Sequence, residues 1–210
     1  MNIYIDLDGT LIDVYERYCG ILNLYLKNID SEIFFSTEDY KYYRQSGYSD
    51  LKMAMEKGLP SVNENDYRKF KHRFLENLEW LKKDKIIENP KEIKKYGYHL
   101  VLITQRRDRK NAFTQIRCLG LNEVFDEIVV LQPIPGQNRK LIYLQDKAKK
   151  EDCIIGDSYV ELECARKLGM HGFFVTTGLF GAQMVKTEHI GGNYMQCIQF
   201  INKNMKQNNI

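Results

Sequence analysis

The chain has 210 residues, a formal net charge of +3 and a pI near 8.4, with 43% hydrophobic and 28% charged residues. This length is enough for one α/β core with an insertion, or for two small domains. The excess of positive charge is too small to indicate a nucleic-acid-binding protein. Five cysteines are scattered without a C-x-x-C pair, which favours a reduced, cytoplasmic protein over a disulfide scaffold or a zinc protein.

The sequence also lacks the usual signals for membranes. No apolar run approaches the ~18 residues that a membrane-spanning helix needs. Met1 leads almost directly into a strand, without the basic and apolar stretches of a secretory signal, and Asn2 stands where N-myristoylation requires glycine. We therefore expect a cytoplasmic protein that has neither a membrane nor a nucleic acid as its partner.

The first predicted strand runs from Asn2 to Leu7, where β-branched and aromatic residues alternate, and Gly9 allows a sharp turn after it. Two carboxylates, Asp6 and Asp8, lie where this strand ends. In an open α/β sheet that end faces the crevice in which ligands bind. One carboxylate there could act as a nucleophile and the other as acid and base, with a divalent cation relieving their repulsion. The simpler alternative is a turn whose aspartates cap backbone amides.

From residue 14 to about residue 88 the pattern becomes helical, which predicts an inserted helical region. Pro60 and the polar run from Ser61 to Asp66 divide it into helical pairs. The tyrosine-rich basic stretch at residues 40–44 fits amphipathic packing better than stacking on nucleic acid. Apolar residues recur at helical spacing in three groups, namely Tyr15, Tyr18, Leu22 and Leu26; Leu51 and Met55; and Phe70, Phe74, Leu78 and Leu81.

A short helix closed by Gly97 then leads to a second buried strand, which ends at Thr104. Four cations follow at the start of the next helix, where they oppose the helix dipole. Either Arg106 or Arg107 faces an anionic substrate, or these charges are solvated and partly balanced by Asp108. The sequence leaves both possibilities open.

A third predicted strand, residues 125–131, is followed by a loop with enforced turns and by Lys140 at the start of another helix. A fourth strand, residues 152–156, leads to Asp157. Glu161 lies one helical turn later, where it can share a face with Asp157. Taken alone, Asp157 could instead be a helix N-cap followed by an acid in the first turn.

The end of the sequence predicts a last strand at Gly172–Thr176, a loop over residues 178–192 and a terminal helix over Tyr194–Met205. Strands that alternate with helices predict a parallel sheet with helices on both faces. The terminal helix has an apolar face for docking, formed by Met195, Ile198, Ile201 and Met205.

Two stretches carry a family resemblance that extends from residue 2 to about residue 178. The stretch Asp6-Leu7-Asp8-Gly9-Thr10-Leu11-Ile12-Asp13 resembles the first motif of the haloacid dehalogenase superfamily, and residues 152–161 are similar to its acidic last motif. The resemblance implies a Rossmann-like α/β core, residues 1–13 and 89–210. It also implies an inserted α-helical cap, residues 14–88, that closes over the substrate.

The resemblance further implies a set of site residues. Asp6 would be the nucleophile and Asp8 the general acid and base. Glu161 stands where the family often has aspartate, which leaves open whether it binds metal directly or through water. The implied phosphate-binding residues are Thr104, Gln105 and Lys140; the implied Mg²⁺ ligands are Asp6, Asp8 through its main-chain carbonyl, Asp157 and Glu161; and the implied substrate contacts are Arg44 and Tyr48. Arg106 is a further candidate substrate contact, which rests on the charge pattern described above and not on the resemblance.

The function implied by this resemblance is that of a Mg²⁺-dependent phosphohydrolase of a small phosphorylated molecule, acting through an aspartyl-phosphate. Dehalogenases of the superfamily lack an acid at the position of Asp8, so carbon–halogen chemistry is disfavoured. Two alternatives remain at this point, a phosphomutase that uses the same residues and a non-catalytic binding or regulatory module with the same fold. Turnover of a generic phosphate ester would discriminate among them.

Overall fold

The central strand of the protein is β1 (Asn2–Ile5). In the computed structural model, which describes residues 1–187 and 189–205, Ile3 and Ile5 pack into one apolar core and Tyr4 packs into another. A strand with both faces buried is typical of a parallel sheet that is covered by helices on both sides. The two cores therefore correspond to the two faces of the predicted sheet.

Strands and helices alternate along the rest of the chain. The other strands are β2 (Ile12–Asp13), β3 (Lys85–Ile86), β4 (His99–Gln105), β5 (Glu127–Leu131), β6 (Cys153–Gly156), β7 (His171–Val175) and β8 (Ile190–Gly191). The α-helices are α1 (Tyr15–Asn28), α2 (Thr37–Gln45), α3 (Asp50–Glu56), α4 (Glu64–Phe74), α5 (Leu78–Leu81), α6 (Arg109–Cys118), α7 (Arg139–Leu144), α8 (Tyr159–Leu168) and α9 (Tyr194–Met205). Short 3-10 helices span Pro90–Tyr96, Leu121–Glu123 and Ala182–Met184. Within the described part of the chain, no helix has the length and apolar character needed to cross a bilayer.

Six strands form one parallel sheet in the order β5-β4-β1-β6-β7-β8. β1 pairs with β4 on one side and β6 on the other, so that Ile3 lies opposite both Leu100 and Cys153. Because these strands are parallel, the segments that follow them leave the sheet at the same edge. The predicted parallel α/β sheet is confirmed, and its topology brings three predicted site segments together.

Helices α1 to α5 form a separate group, which we call the cap. In sequence they lie between β2 and β3, which pair as an antiparallel ribbon with Ile12 opposite Ile86. The cap has its own apolar cluster, to which Leu22 of α1 and Tyr40 of α2 contribute. The predicted insertion is thus helical, whereas its limits at residues 14 and 88 stay a prediction.

The cap differs from the predicted helical pattern where α4 ends at Phe74. The Asn77 side chain accepts a hydrogen bond from the Glu79 amide and caps a second, short helix, α5. The prediction of a single apolar face through Phe70, Phe74, Leu78 and Leu81 is therefore wrong, because these residues lie on two helices.

One smaller prediction in the cap is also wrong. Met55 is 45% exposed, so it does not join Leu51 on a buried helix face. The predicted break at Pro60 is confirmed, because α3 ends at Glu56 and α4 begins at Glu64. The last three residues of the polar run, 64–66, already belong to α4, where the Asn63 side chain accepts a hydrogen bond from the Asn65 amide and caps the helix.

β7 is not the last strand of the sheet. β8 pairs with it in parallel, with Gly191 opposite Val175, and a 3-10 helix precedes β8. Both elements lie in residues 178–192, which the sequence predicts to be loop, although residue 188 is outside the described residues. The predicted terminal helix is confirmed as α9, and its apolar face packs into the sheet's core.

Candidate active site

The carboxyl ends of β1, β4 and β6 carry three of the predicted site residues. Asp6 follows β1, Thr104 lies near the end of β4, and Asp157 follows β6. Gly9 turns the chain after β1 with a φ of 72°, a conformation that favours glycine. A Cβ at Gly9 would lie 2.5 Å from Oδ2 of Asp157. Glycine therefore allows the turn after β1 to approach Asp157 closely.

A cavity of about 110 Å³ opens at this edge of the sheet. A larger cavity of about 640 Å³ lies beside α8 and β7, and its described lining includes no predicted site residue. The smaller cavity is the candidate site because all of its lining residues except Ser158 and Val160 are predicted site residues. The lining residues are Asp6, Asp8, Thr104, Gln105, Lys140, Ser158, Val160 and Glu161.

Lys140 is the cation of this cavity. It lies in the first turn of α7, its side chain is 3% exposed, and its Nζ lies 2.5 Å from Oδ1 of Asp6 and 2.5 Å from Oε1 of Glu161. Burial lowers the pKa of Lys140, but Asp6 and Glu161 outweigh burial and raise this pKa above its usual value. Lys140 is therefore a charged group that links the predicted nucleophile to α8.

Three buried carboxylates lie close together here, and two of them, Asp6 and Glu161, pair with Lys140. Oxygen atoms of Asp6, Asp157 and Glu161 all lie within 4.8 Å of one another. Burial and the neighbouring carboxylates raise the pKa of Asp157 well above its usual value, and they raise the pKa of Asp6 despite Lys140. A compact set of oxygen donors with too little positive charge fits a hard divalent cation such as Mg²⁺.

Ser158 explains how α8 begins. Its Oγ accepts a hydrogen bond from the Val160 amide at 3.2 Å and donates one to Oε2 of Glu161 at 2.7 Å. Ser158 is thus the N-cap of α8, and the alternative in which Asp157 caps this helix is wrong. The Asp157 carboxylate instead accepts a hydrogen bond from the backbone amide of Leu179, with 3.0 Å between Oδ2 and the amide nitrogen.

Asp8 is held by two arginines. Its Oδ1 accepts a hydrogen bond from Arg106 at 2.6 Å and another from Arg17. Burial raises the pKa of Asp8, but the two guanidinium groups outweigh burial and lower this pKa below its usual value. The structure therefore orients the second aspartate through ion pairs, and one of its partners, Arg17, comes from the cap.

Arg17 is itself fixed on every side. Its Nε donates to Asp84 at 3.0 Å, and one terminal nitrogen donates to the Leu75 carbonyl at 2.8 Å. Gln115 completes this network by donating to Asp84 at 2.7 Å. The Asp8 carboxylate is thereby connected to the end of α4 and to the segment in which the chain returns to the core.

Sequence reasoning missed Arg17, Asp84 and Ser158. Arg17 lies four residues before the buried Ile21 on α1, which is a helical signal for burial, but its charge would assign it to solvent. For Asp84 no local signal exists, because its partners come from α1 and α6. Ser158 could have been found as a helix-capping residue directly before the α8 pattern.

Another buried carboxylate, Asp50, lies in the cap at the start of α3. It accepts hydrogen bonds from Tyr40 at 2.7 Å, from Tyr67 at 2.6 Å and from Lys71 at 2.5 Å. Burial raises the pKa of Asp50, but Lys71 and Arg44 outweigh burial and lower the pKa to about 2. Asp50 is therefore a fully partnered anion inside the cap.

The structure does not bring Arg44 and Tyr48 to the cavity at the sheet edge. Arg44 donates to the Tyr48 carbonyl at 2.8 Å and lines a separate cap cavity of about 370 Å³ beside Asp50. The Tyr48 ring packs against Tyr43, with 5.3 Å between the ring centroids. Substrate contact by these two residues stays a prediction.

Comparisons with known proteins agree with this geometry. Residues 3–175 match the family model described as haloacid dehalogenase-like hydrolase. That match spans the cap and the sheet from β1 to β7. No match was found among curated proteins.

Several solved structures share the fold. A haloacid dehalogenase-like family hydrolase from Streptococcus pneumoniae superposes with a TM-score of 0.72 and 18% identity, covering 95% of this chain and 97% of the other. A predicted phosphatase from Clostridium acetobutylicum superposes with a TM-score of 0.70 and 16% identity, covering 96% of this chain and 98% of the other. A candidate phosphoglycolate phosphatase from Lactobacillus delbrueckii subsp. bulgaricus superposes with a TM-score of 0.69 and 15% identity, covering 95% of this chain and 97% of the other. These similarities extend over nearly the whole chain.

Proposed function

Because this chain belongs to the haloacid dehalogenase-like hydrolase family, we propose that it is a Mg²⁺-dependent phosphatase of a small phosphorylated molecule. The observation that carries the proposal is the meeting of Asp6, Asp8 and Lys140 around one small cavity. The structural neighbours named as phosphatases support the same assignment. The remaining predicted residues take roles that follow from their position in this cavity.

Asp6 is the proposed nucleophile. One of its carboxylate oxygens attacks phosphorus, the bond between phosphorus and the ester oxygen breaks, and an aspartyl-phosphate forms. Lys140, 2.5 Å from Asp6, opposes protonation of this buried carboxylate and offers positive charge to the phosphoryl oxygens. Thr104 and the backbone amide of Gln105 lie at the same cavity, where they can donate to those oxygens.

Asp8 is the proposed general acid and base. It must be protonated when the ester binds, because it gives that proton to the leaving alcohol in the first step, whereas its ion pairs with Arg17 and Arg106 favour the carboxylate form that acts in the second step. In the second step it takes a proton from the water that attacks phosphorus, which releases inorganic phosphate and restores Asp6. Arg17 and Arg106 hold one oxygen of Asp8, so the other oxygen can face the ester.

The residues that would hold Mg²⁺ are Asp6, Asp157 and the main-chain carbonyl of Asp8. When bound, Mg²⁺ supplies positive charge that neutralises the phosphoryl oxygens. Both carboxylate oxygens of Glu161 already accept hydrogen bonds, one from Lys140 and one from Ser158. We therefore assign Glu161 a contact to the ion through water and a role in positioning Lys140.

Phosphate release from a panel of phosphorylated metabolites, with and without Mg²⁺, tests this function. The panel includes phosphoglycolate, because a structural neighbour is a candidate phosphatase for that compound. We expect Mg²⁺-dependent release from one class of compound, and we expect Asp6→Asn to abolish it. Asp146→Asn makes the same substitution at an exposed surface aspartate; it is the matched control and should keep full activity.

Absence of release from every compound by folded, Mg²⁺-loaded protein would contradict the proposal. Conversion of one sugar phosphate isomer into another, without net release of phosphate, would identify a mutase instead. Full activity in Asp6→Asn would contradict the assignment of the nucleophile.

A further inference from the structure

Arg106 is a buried cation at the edge of the candidate site. It directly follows β4 and is 3% exposed. One of its terminal nitrogens, NH2, lies 2.6 Å from Oδ1 of Asp8 and 3.3 Å from Oε1 of Gln115. Because Asp8 lines the catalytic cavity, the Arg106 guanidinium is separated from that cavity by a single side chain.

The rest of the Arg106 guanidinium has no acceptor. Its Nε and NH1 are buried, and neither finds a hydrogen-bond partner among the described residues. A buried donor without a partner is unfavourable, and more so when the group is charged. The described residues therefore leave two N–H-bearing atoms of this cation without an acceptor.

Arg17 shows what a purely structural arginine looks like in the same place. Each of its three nitrogens donates, to Asp8, to Asp84 and to the Leu75 carbonyl. Its charge is balanced by a carboxylate of its own, Asp84. Arg106 forms an ion pair only with Asp8, which also pairs with Arg17 and which takes part in the proposed reaction.

We propose that Arg106 binds a second anionic group of the substrate, so that the preferred substrate is a phosphomonoester with a carboxylate or another phosphate a few bonds from the ester oxygen. This inference rests on the proposed phosphatase function. Asp8 faces the leaving group, so an anion carried on that leaving group lies beside Asp8 and next to Arg106. A guanidinium suits such an anion because its planar set of N–H donors matches carboxylate and phosphate oxygens.

Three esters with the same carbon chain provide the test. They are propyl phosphate, the O-phosphate of 3-hydroxypropanoate and propane-1,3-diol bisphosphate, which differ in carrying no second anion, a carboxylate or a phosphate. A charge-assisted hydrogen bond contributes about 1.5–3 kcal/mol, so we expect kcat/KM to be roughly 10- to 100-fold higher for the better anionic ester than for propyl phosphate. Comparison of the two anionic esters identifies which group Arg106 prefers.

Arg106→Gln should reduce that preference to about onefold, whereas Arg106→Lys should keep part of it because the positive charge remains. Arg17→Lys is the matched control for contact with Asp8. It should lower turnover of all three esters by a similar factor and leave their ratio unchanged. Arg109→Gln removes an exposed charge from the same segment and should change neither turnover nor ratio.

The possible outcomes separate this inference from the function on which it rests. If the unaltered protein hydrolyses propyl phosphate and the anionic esters with equal kcat/KM, the inference is wrong and the phosphatase assignment stands. Equal losses for all three esters in Arg106→Gln would also overturn it, because Arg106 would then act only by positioning Asp8. No release from any ester in any variant would instead refute the proposed function.

Discussion

Asp50 in the cap and Asp157 in the core are buried to similar degrees, 4% and 7% exposed, but their pKa values move in opposite directions. Asp50 accepts hydrogen bonds from two tyrosine hydroxyls and from a lysine, and its pKa falls to about 2. Asp157 accepts one backbone amide and lies near two other carboxylates, so its pKa rises well above the usual value.

The difference separates a structural anion from one that is prepared for a ligand. Within the cap, hydrogen bonds and Lys71 compensate the burial of Asp50 completely. At the sheet edge, burial and repulsion leave Asp157 poorly compensated until a cation joins it. Carboxylates with perturbed pKa values in a cleft are typical of functional sites, so this contrast supports the proposal that the core cluster binds the cation.

The largest expected effect follows from removing a core carboxylate. Asp157→Asn should lower kcat/KM by roughly 10²–10³-fold, which is the usual effect of removing one group that stabilises charge in the transition state. The same change should stabilise the metal-free protein, because it removes one of three mutually repelling carboxylates. Steady-state kinetics at several Mg²⁺ concentrations and urea unfolding in EDTA measure the two effects.

Thermal unfolding gives the control for this prediction. Saturating Mg²⁺ should stabilise the unaltered protein, by about 2.7 kcal/mol at a hundred times Kd. Asp146→Asn should keep this gain and Asp157→Asn should lose most of it. An unchanged Mg²⁺ response in Asp157→Asn would show that Asp157 does not bind the ion.

The next effect tests the cap. Asp50→Asn should destabilise the protein by roughly 3 kcal/mol, because the amide nitrogen cannot accept the hydrogen bond from Lys71 and leaves that partly buried charge unpaired. Urea unfolding in EDTA measures this loss. The opposite signs expected for Asp50→Asn and Asp157→Asn are the sharpest form of the comparison, and equal signs would contradict it.

The smallest effect is a dependence on pH. Because folding lowers the pKa of Asp50 to about 2, its contribution to stability is complete above the unfolded pKa near 4 and is lost as pH falls towards 2. The free energy of unfolding of the unaltered protein, relative to Asp50→Asn, should therefore shrink by about 1 kcal/mol between pH 5 and pH 3. A constant difference over this range would mean that Asp50 is not ion-paired in solution.

The candidate site was predictable where strand ends determine it. Asp6, Thr104 and Asp157 follow or end parallel strands, and sequence patterning identifies such strands well. Lys140 is predicted from the family resemblance, which implies a lysine between the third and fourth strands of the sequence pattern. The structure brings these residues together because β1, β4 and β6 are neighbours, and that arrangement follows from the family fold.

Other features of the molecule could not be read from the sequence because they depend on tertiary packing or on signals too short to form a pattern. Arg17 reaches Asp8 and Asp84 only after α1 has docked, and Asp50 finds its partners on α2 and α4. The two-residue strand β8 is too short to produce a periodic pattern. The division between α4 and α5 depends on one asparagine cap, whose signal is weaker than the apolar spacing on either side.

The central position of β1 has a consequence for how the protein folds. Its neighbours β4 and β6 come far later in the chain, with Leu100 and Cys153 as the partners of Ile3. Contacts between distant segments slow folding, because a long loop must close before they form. The backbone N–H and C=O groups of β1 stay without their strand partners until β4 and β6 have been synthesised. We therefore expect the strand that leads to Asp6 to enter the sheet late in folding.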